Sequence, residues 1–272
     1  MERLQEENRP IEDYSFMNYF IYVFHPIFYI SGPIVTFNSF VAQYHTPQKT
    51  LSIKTTLLKL AQVGFYIVAF DVVNHYIYTY AINETGMWTS GMSPLELFSM
   101  LLYVMNWMWM KFLIIWRFFR LFGVLDGINS HDNMPHCISM VLCPSFLWKF
   151  WHASFNKWTV RYLYVPLGGR KYQWLTAWLI FVYIGLWHDL EWKWFWWGIA
   201  NCLGVFIEYG VRLYYAKPCW DEFKKKWYRR HVESFVGAIS VWYLVVFNMF
   251  LFHGFEKTWF MIKLFFNQGN CK

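Results

Sequence analysis

The sequence predicts an all-α protein, built as a multispanning transmembrane helical bundle. Composition points there first. Hydrophobic side chains make up 57% of the 272 residues, aromatics 24% and charged residues only 15%. A soluble domain carries about 25% charged residues, so this chain has too little polar surface to coat a globule. Chain pattern points the same way, because long apolar stretches alternate with short polar turns. The 18 Trp and 19 Tyr are rings that favour the headgroup level of a bilayer.

Six membrane segments are expected, at roughly 16–40, 57–82, 95–116, 174–188, 194–211 and 235–252. Pro26, Gly32 and Pro33 break the first or make it re-entrant. A further piece, 258–266, is too short to span unaided. The layout reads as a polar segment over 1–15, one membrane domain over 16–266 and a tail over 267–272. The N-terminus lacks the apolar core of a signal peptide, so internal segments are expected to drive insertion.

Basic residues test these segments. Lys49 and Lys54 follow the first, Arg117 and Arg120 follow the third, and residues 149–171 hold five more. Residues 212–230 hold Arg212, Lys217, Lys224, Lys225, Lys226, Arg229 and Arg230. The alternate loops are poor in them, so the rich loops are assigned to the cytoplasm, facing lipid headgroups. The net charge of +7 is thereby attributed to membrane topology and not to nucleic acid.

Residues 117–173 hold no clean span. Leu147, Trp151, Phe155, Trp158 and Tyr162 recur at the spacing of one helix face. Lys149, His152 and Asn156 fall on a second, polar face. This predicts a continuous amphipathic helix, ended by Pro166, Gly168 and Gly169.

The titratable residues supply the candidate chemistry. Between Lys171 and His188 lie 16 uncharged residues, a rise of about 24 Å in a hydrocarbon core of about 30 Å. A histidine at that depth is a functional hypothesis by default, and apolar surroundings favour the neutral ring that accepts a proton. Its bland alternative is a capped helix end in an aromatic belt. Asp189 is adjacent, but neighbours on a helix point about 100° apart, so no Asp–His pair is assumed. His152 and Asn156 stand one turn apart; their bland alternative is an interfacial polar face. Asn201, Glu208 and Asn248 read as makers of interhelical hydrogen bonds. Five cysteines form no paired motif, and Cys137 reads as an idle buried thiol. Metal-ligand, phosphate-loop and nucleophile-elbow spacings are absent, so no metal and no tightly bound cofactor are expected.

At these residues the sequence resembles the membrane-bound O-acyltransferase family. Trp151-His152-Ala153-Ser154-Phe155-Asn156-Lys157-Trp158, followed by Arg161-Tyr162-Leu163-Tyr164-Val165-Pro166-Leu167-Gly168-Gly169, is similar to one signature block. Gly185-Leu186-Trp187-His188 is similar to the second, 36 residues further on from His152. Gly32-Pro33-Ile34-Val35-Thr36-Phe37-Asn38-Ser39-Phe40 and Met134-Pro135-His136-Cys137 resemble the glycerol-uptake branch, related to hedgehog acyltransferases. The family's N-terminal helices are expected to be unmatched here.

The resemblance implies acyl transfer from acyl-CoA, as co-substrate, to a hydroxyl or amine. His188 matches the catalytic histidine and His152 the second active-site position. Asn156 stands where other branches place a histidine. The two histidines would need a shared cavity, with Trp151 and Trp187 lining an acyl-chain tunnel. The implied acceptor is a lipid hydroxyl, of a glycosylphosphatidylinositol anchor or a lysolipid. The implied location is the endoplasmic-reticulum membrane, with the plasma membrane second. Other expected partners are membrane lipids and a helper membrane protein. Rival readings are protein acylation, glycerol transport and a silent regulator.

Overall fold

The structure, a computed structural model, describes residues 7–47, 51–85 and 92–266. The expected tail over 267–272 and the start of the expected polar segment lie outside them. All regular structure among the described residues is helical. Two compact units interleave along the chain. The first takes residues 1–77, 108–136 and 149–162; the second takes 78–107, 137–148 and 163–272.

The first unit opens with three short helices, α1 (Phe16–Phe24), α2 (Pro26–Ile30) and α3 (Phe37–His45). The first expected segment is therefore broken, as its prolines require. Pro26 starts α2, where a missing N–H costs nothing. Ser15 and Thr36 cap α1 and α3 by accepting from backbone N–H groups three residues on. Val35, Phe40, Val41 and Ile128 form the core beneath them.

Two long helices follow, α4 (Ile53–Tyr76) and α6 (Pro94–Leu125), with a short α5 (Thr79–Thr85) between them. Expected boundaries shift here for physical reasons. Ser52 caps α4 through its hydroxyl, so the helix starts before 57. α6 continues past 116 because its arginines find local partners. Arg117 pairs with Asp132 at 3.2 Å and Arg120 donates to the Ser130 carbonyl at 2.8 Å.

In the second unit α9 (Gln173–His188), α10 (Trp192–Tyr215) and α11 (Arg229–Phe266) pack side by side, following the short α7 (Pro144–Phe150) and, from the first unit, α8 (Ala153–Thr159). Trp174 meets Tyr209 while Gly185 meets Trp194, so α9 and α10 run antiparallel. Tyr215 bonds Glu233 while Trp196 meets Phe255, so α10 and α11 do too. α11 bends at Gly254, whose φ of 73° favours glycine. Beyond the bend the short apolar piece over 258–266 packs inward, with Met261 in a core shared with Leu97, Leu101 and Met249.

Small residues let these backbones approach. A Cβ on Gly198 would lie 3.1 Å from the Phe181 carbonyl, and one on Gly204 would lie 2.5 Å from the Tyr243 ring. Tyr243 in turn donates to the Ala200 carbonyl. Gly204→Leu is expected to force α10 from α11 and cost about 2 kcal/mol or more. Thermal unfolding in detergent would show a lowered midpoint; an unchanged one would refute this packing.

Among the described residues, three helical stretches are long and apolar enough to cross a membrane: Ile53–Tyr76, Pro94–Leu125 and Arg229–Leu251. α9 is too short for that group at 16 residues, and α10 carries Lys193, Glu208 and Arg212. Glu208 uses both carboxylate oxygens within the protein. Ser145 donates to it through its backbone N–H (2.7 Å) and hydroxyl (2.6 Å), and Arg212 pairs with it at 2.6 Å. It thereby caps α7. Asn248 also bonds between helices, but Asn201 donates to Trp197 O within its own helix.

Candidate functional site

The continuous helix expected over 147–162 does not form. α7 ends at Phe150, α8 begins at Ala153, and a π-helical turn follows at Val160–Tyr164. The break is His152, at φ 51° and ψ 55°, the left-handed region. The helix is interrupted over residues 151–152. Lys149 therefore does not share a helix face with His152 and Asn156. For a residue with a Cβ this conformation costs about 1 kcal/mol or more. Such strain persists only where the surroundings over-determine it, and it clusters at functional sites.

The surroundings here do that. The His152 ring stacks on Trp116 at 4.4 Å between centroids and on Phe155 at 5.3 Å. Its side chain caps nothing, so Asn133 takes over the start of α8. The Asn133 carbonyl accepts from Ala153 N (3.2 Å) and its Oδ1 accepts from Ser154 N (2.9 Å). The Ser154 hydroxyl accepts from Ile34 N at 2.9 Å. Gln43, fully buried, holds the same loop by accepting from Asn129 N at 2.8 Å. Asn156 is half-buried, and its N–H donates to the His152 carbonyl at 3.1 Å. Trp151 packs edge-on to Phe112, against the Leu113–Trp116–Met134 core. Lys157 Nζ lies 2.7 Å from His131 Nε2.

His188 belongs to the second unit, as the last residue of α9. The helix ends there because Asp189 turns extended, its N–H donating to the Gly185 carbonyl. Asp189 Oδ1 accepts from Leu190 N at 2.7 Å, so the carboxylate serves its own backbone and not the imidazole. The residue is exposed, but one ring face is covered. Trp194 lies parallel to it, 4.3 Å away with the planes 4° apart. Trp187 presents an edge at 4.8 Å and Trp197 at 5.7 Å. Among the described residues neither imidazole nitrogen has a hydrogen-bond partner.

The expected site residues thus fall into two groups. His152, Asn156 and Trp151 share the first unit; His188 and Trp187 share the second. Among the described residues no cluster of three metal-ligating side chains exists. Cys137 is a half-buried free thiol. Sequence reasoning missed Trp116 and Asn133 beside His152, and Trp194 and Trp197 beside His188. Only Trp194 left a trace, six residues beyond His188 in a run dense with tryptophan.

Comparison with known proteins identifies the family. The family model for MBOAT, the membrane-bound O-acyltransferase family, matches residues 1–252. The chain is 33% identical to Membrane-bound O-acyltransferase GUP1 of Millerozyma farinosa, over 96% of this chain and 51% of that protein. It is 33% identical to GUP1 of Saccharomyces cerevisiae, over 89% of this chain and 42% of that one. It is 25% identical to mouse Protein-cysteine N-palmitoyltransferase HHAT, over 86% of this chain and 49% of that one. The chain spans about half the length of these relatives, or somewhat less. With the fold all-α, long apolar helices present and the match covering most of its length, this chain belongs to the membrane-bound O-acyltransferase family.

Proposed function

We propose that the protein moves a long-chain fatty acyl group from acyl-CoA to a lipid hydroxyl, with His188 as general base. The carrying observation is the imidazole at the end of α9, boxed by Trp187, Trp194 and Trp197 and with both nitrogens unbonded among the described residues. A ring so placed has a nitrogen to offer an incoming proton.

In the proposed step the acceptor oxygen attacks the thioester carbonyl while His188 takes its proton. The carbon–sulfur bond breaks, and the thiolate of CoA recovers the proton from the imidazolium. On motif resemblance alone, His152 is assigned to orienting the donor or stabilising the tetrahedral oxyanion, and Asn156 stands where other branches place a histidine. Remodelling of glycosylphosphatidylinositol anchors, in a multi-pass protein of the endoplasmic reticulum, is the pathway we favour on similarity to the GUP1 proteins. Similarity to the mouse N-palmitoyltransferase favours a second reading, acylation of a protein amine.

The test supplies radiolabelled palmitoyl-CoA to membranes with and without the chain. Label gained by chain-containing membranes in the lipid fraction supports the first reading. Label gained in protein supports the second. Equal labelling in both preparations overturns both.

A further inference from the structure

We propose that Trp194, backed by Trp197 and Asn248, is a positioning residue that fixes the plane of the His188 imidazole. This inference rests on the reading of His188 as the base. A catalytic imidazole is ordinarily oriented by a hydrogen bond from its second nitrogen to a carboxylate or carbonyl. Here that partner is absent among the described residues, and the nearest carboxylate in sequence is turned to the Leu190 N–H. The ring is instead held by its face. A parallel indole at 4.3 Å and 4° leaves the imidazole edge, which carries both nitrogens, pointing past the stack.

The stack is itself supported from two sides. Gly185 lies one turn before His188, and a Cβ there would sit 3.2 Å from the Trp194 carbonyl. Glycine thus lets the start of α10 close on the end of α9. From the other side Trp197, 3% exposed, stands edge-on to both the imidazole and Trp194. Its indole N–H donates to Asn248 Oδ1 at 2.9 Å, while Asn248 Nδ2 donates to the Leu244 carbonyl at 2.7 Å. Both ends of the amide are used, so its oxygen is committed to Trp197. A buried hydrogen bond on α11 thereby fixes the aromatic wall that meets the base on α9.

Stacking sets the ring's direction and makes no contact with the donor, so the expected defect is in turnover. In the palmitoyl-CoA assay Trp194→Ala should lower kcat about tenfold or more with KM for palmitoyl-CoA within about twofold. Trp194→Phe keeps a flat face and should recover most of the loss. Trp194→Leu keeps bulk without a face and should not. Asn248→Leu, which frees Trp197, should fall between Ala and wild type. All are compared at equal amounts of extracted protein, and the Phe–Leu pair decides if Ala does not accumulate. Equal kcat for Phe and Leu, or a loss confined to KM, overturns the positioning role. If His188→Ala keeps full turnover, the reading beneath fails instead. If His188→Ala is dead while Trp194→Leu is normal, only the present inference falls.

Discussion

Replacing His188 with alanine is expected to lower acyl transfer from palmitoyl-CoA by about 10²–10⁴-fold, the range of a positioned general base. The protein should still accumulate in membranes. His188 closes α9 at its last residue, and its ring makes aromatic contacts but no hydrogen bond among the described residues, so truncation removes no hydrogen bond from the fold. The helix end itself is held by the Asp189 N–H on the Gly185 carbonyl, which the substitution leaves in place. His188→Gln, which keeps polar atoms but cannot take a proton at neutral pH, should be as inactive as alanine. Turnover within threefold of wild type in either variant, at matched protein level, removes the proposed mechanism.

Substitution of His152 is expected to separate strain from chemistry. His152→Ala loses the stack on Trp116 and Phe155 yet keeps a Cβ in the left-handed region. His152→Gly loses the same stack and relieves the strain. The glycine variant should therefore be the more stable by about 1 kcal/mol, the cost of that conformation for a residue with a Cβ. Both should lose acyl transfer about equally, by tenfold or more, if the ring orients the donor. Unfolding midpoints in detergent, read beside turnover, test both halves. An alanine variant as stable as the glycine variant would show that the turn at 152 stores no strain. Activity returning with glycine would show that the turn matters and the ring does not.

Much of the fold is legible in the residues. Pro26 marks the break in the first segment, and Ser15, Thr36 and Ser52 cap helices where short polar residues precede apolar runs. The helix ends are less legible, because charge marks the edge of a bilayer and not the end of a helix. Arg117 and Arg120 suggest a stop near 116, yet α6 continues since Asp132 and the Ser130 carbonyl receive them.

The site is legible in part. His188 and His152 stand out by depth and motif, but the break at His152 does not. Apolar residues continue at helical spacing on both sides of it, so periodicity sees one helix where a single dihedral makes two. What enforces that dihedral is Asn133, some twenty residues upstream, and Trp116 on another helix. The Asn248–Trp197–Trp194 support is hidden for the same reason, since it is assembled from α10 and α11, 51 residues apart at the hydrogen bond.

The interleaving of the two units has a consequence for biosynthesis. The first unit is complete only once residue 162 has left the ribosome, although its opening helices emerge more than a hundred residues sooner. Phe40, Val41 and the buried amide of Gln43 wait some eighty residues for Ile128 and Asn129 to emerge. The nascent chain must shelter that half-built surface during translation, and the three helices α9, α10 and α11, contiguous in sequence, are the ones able to assemble without waiting.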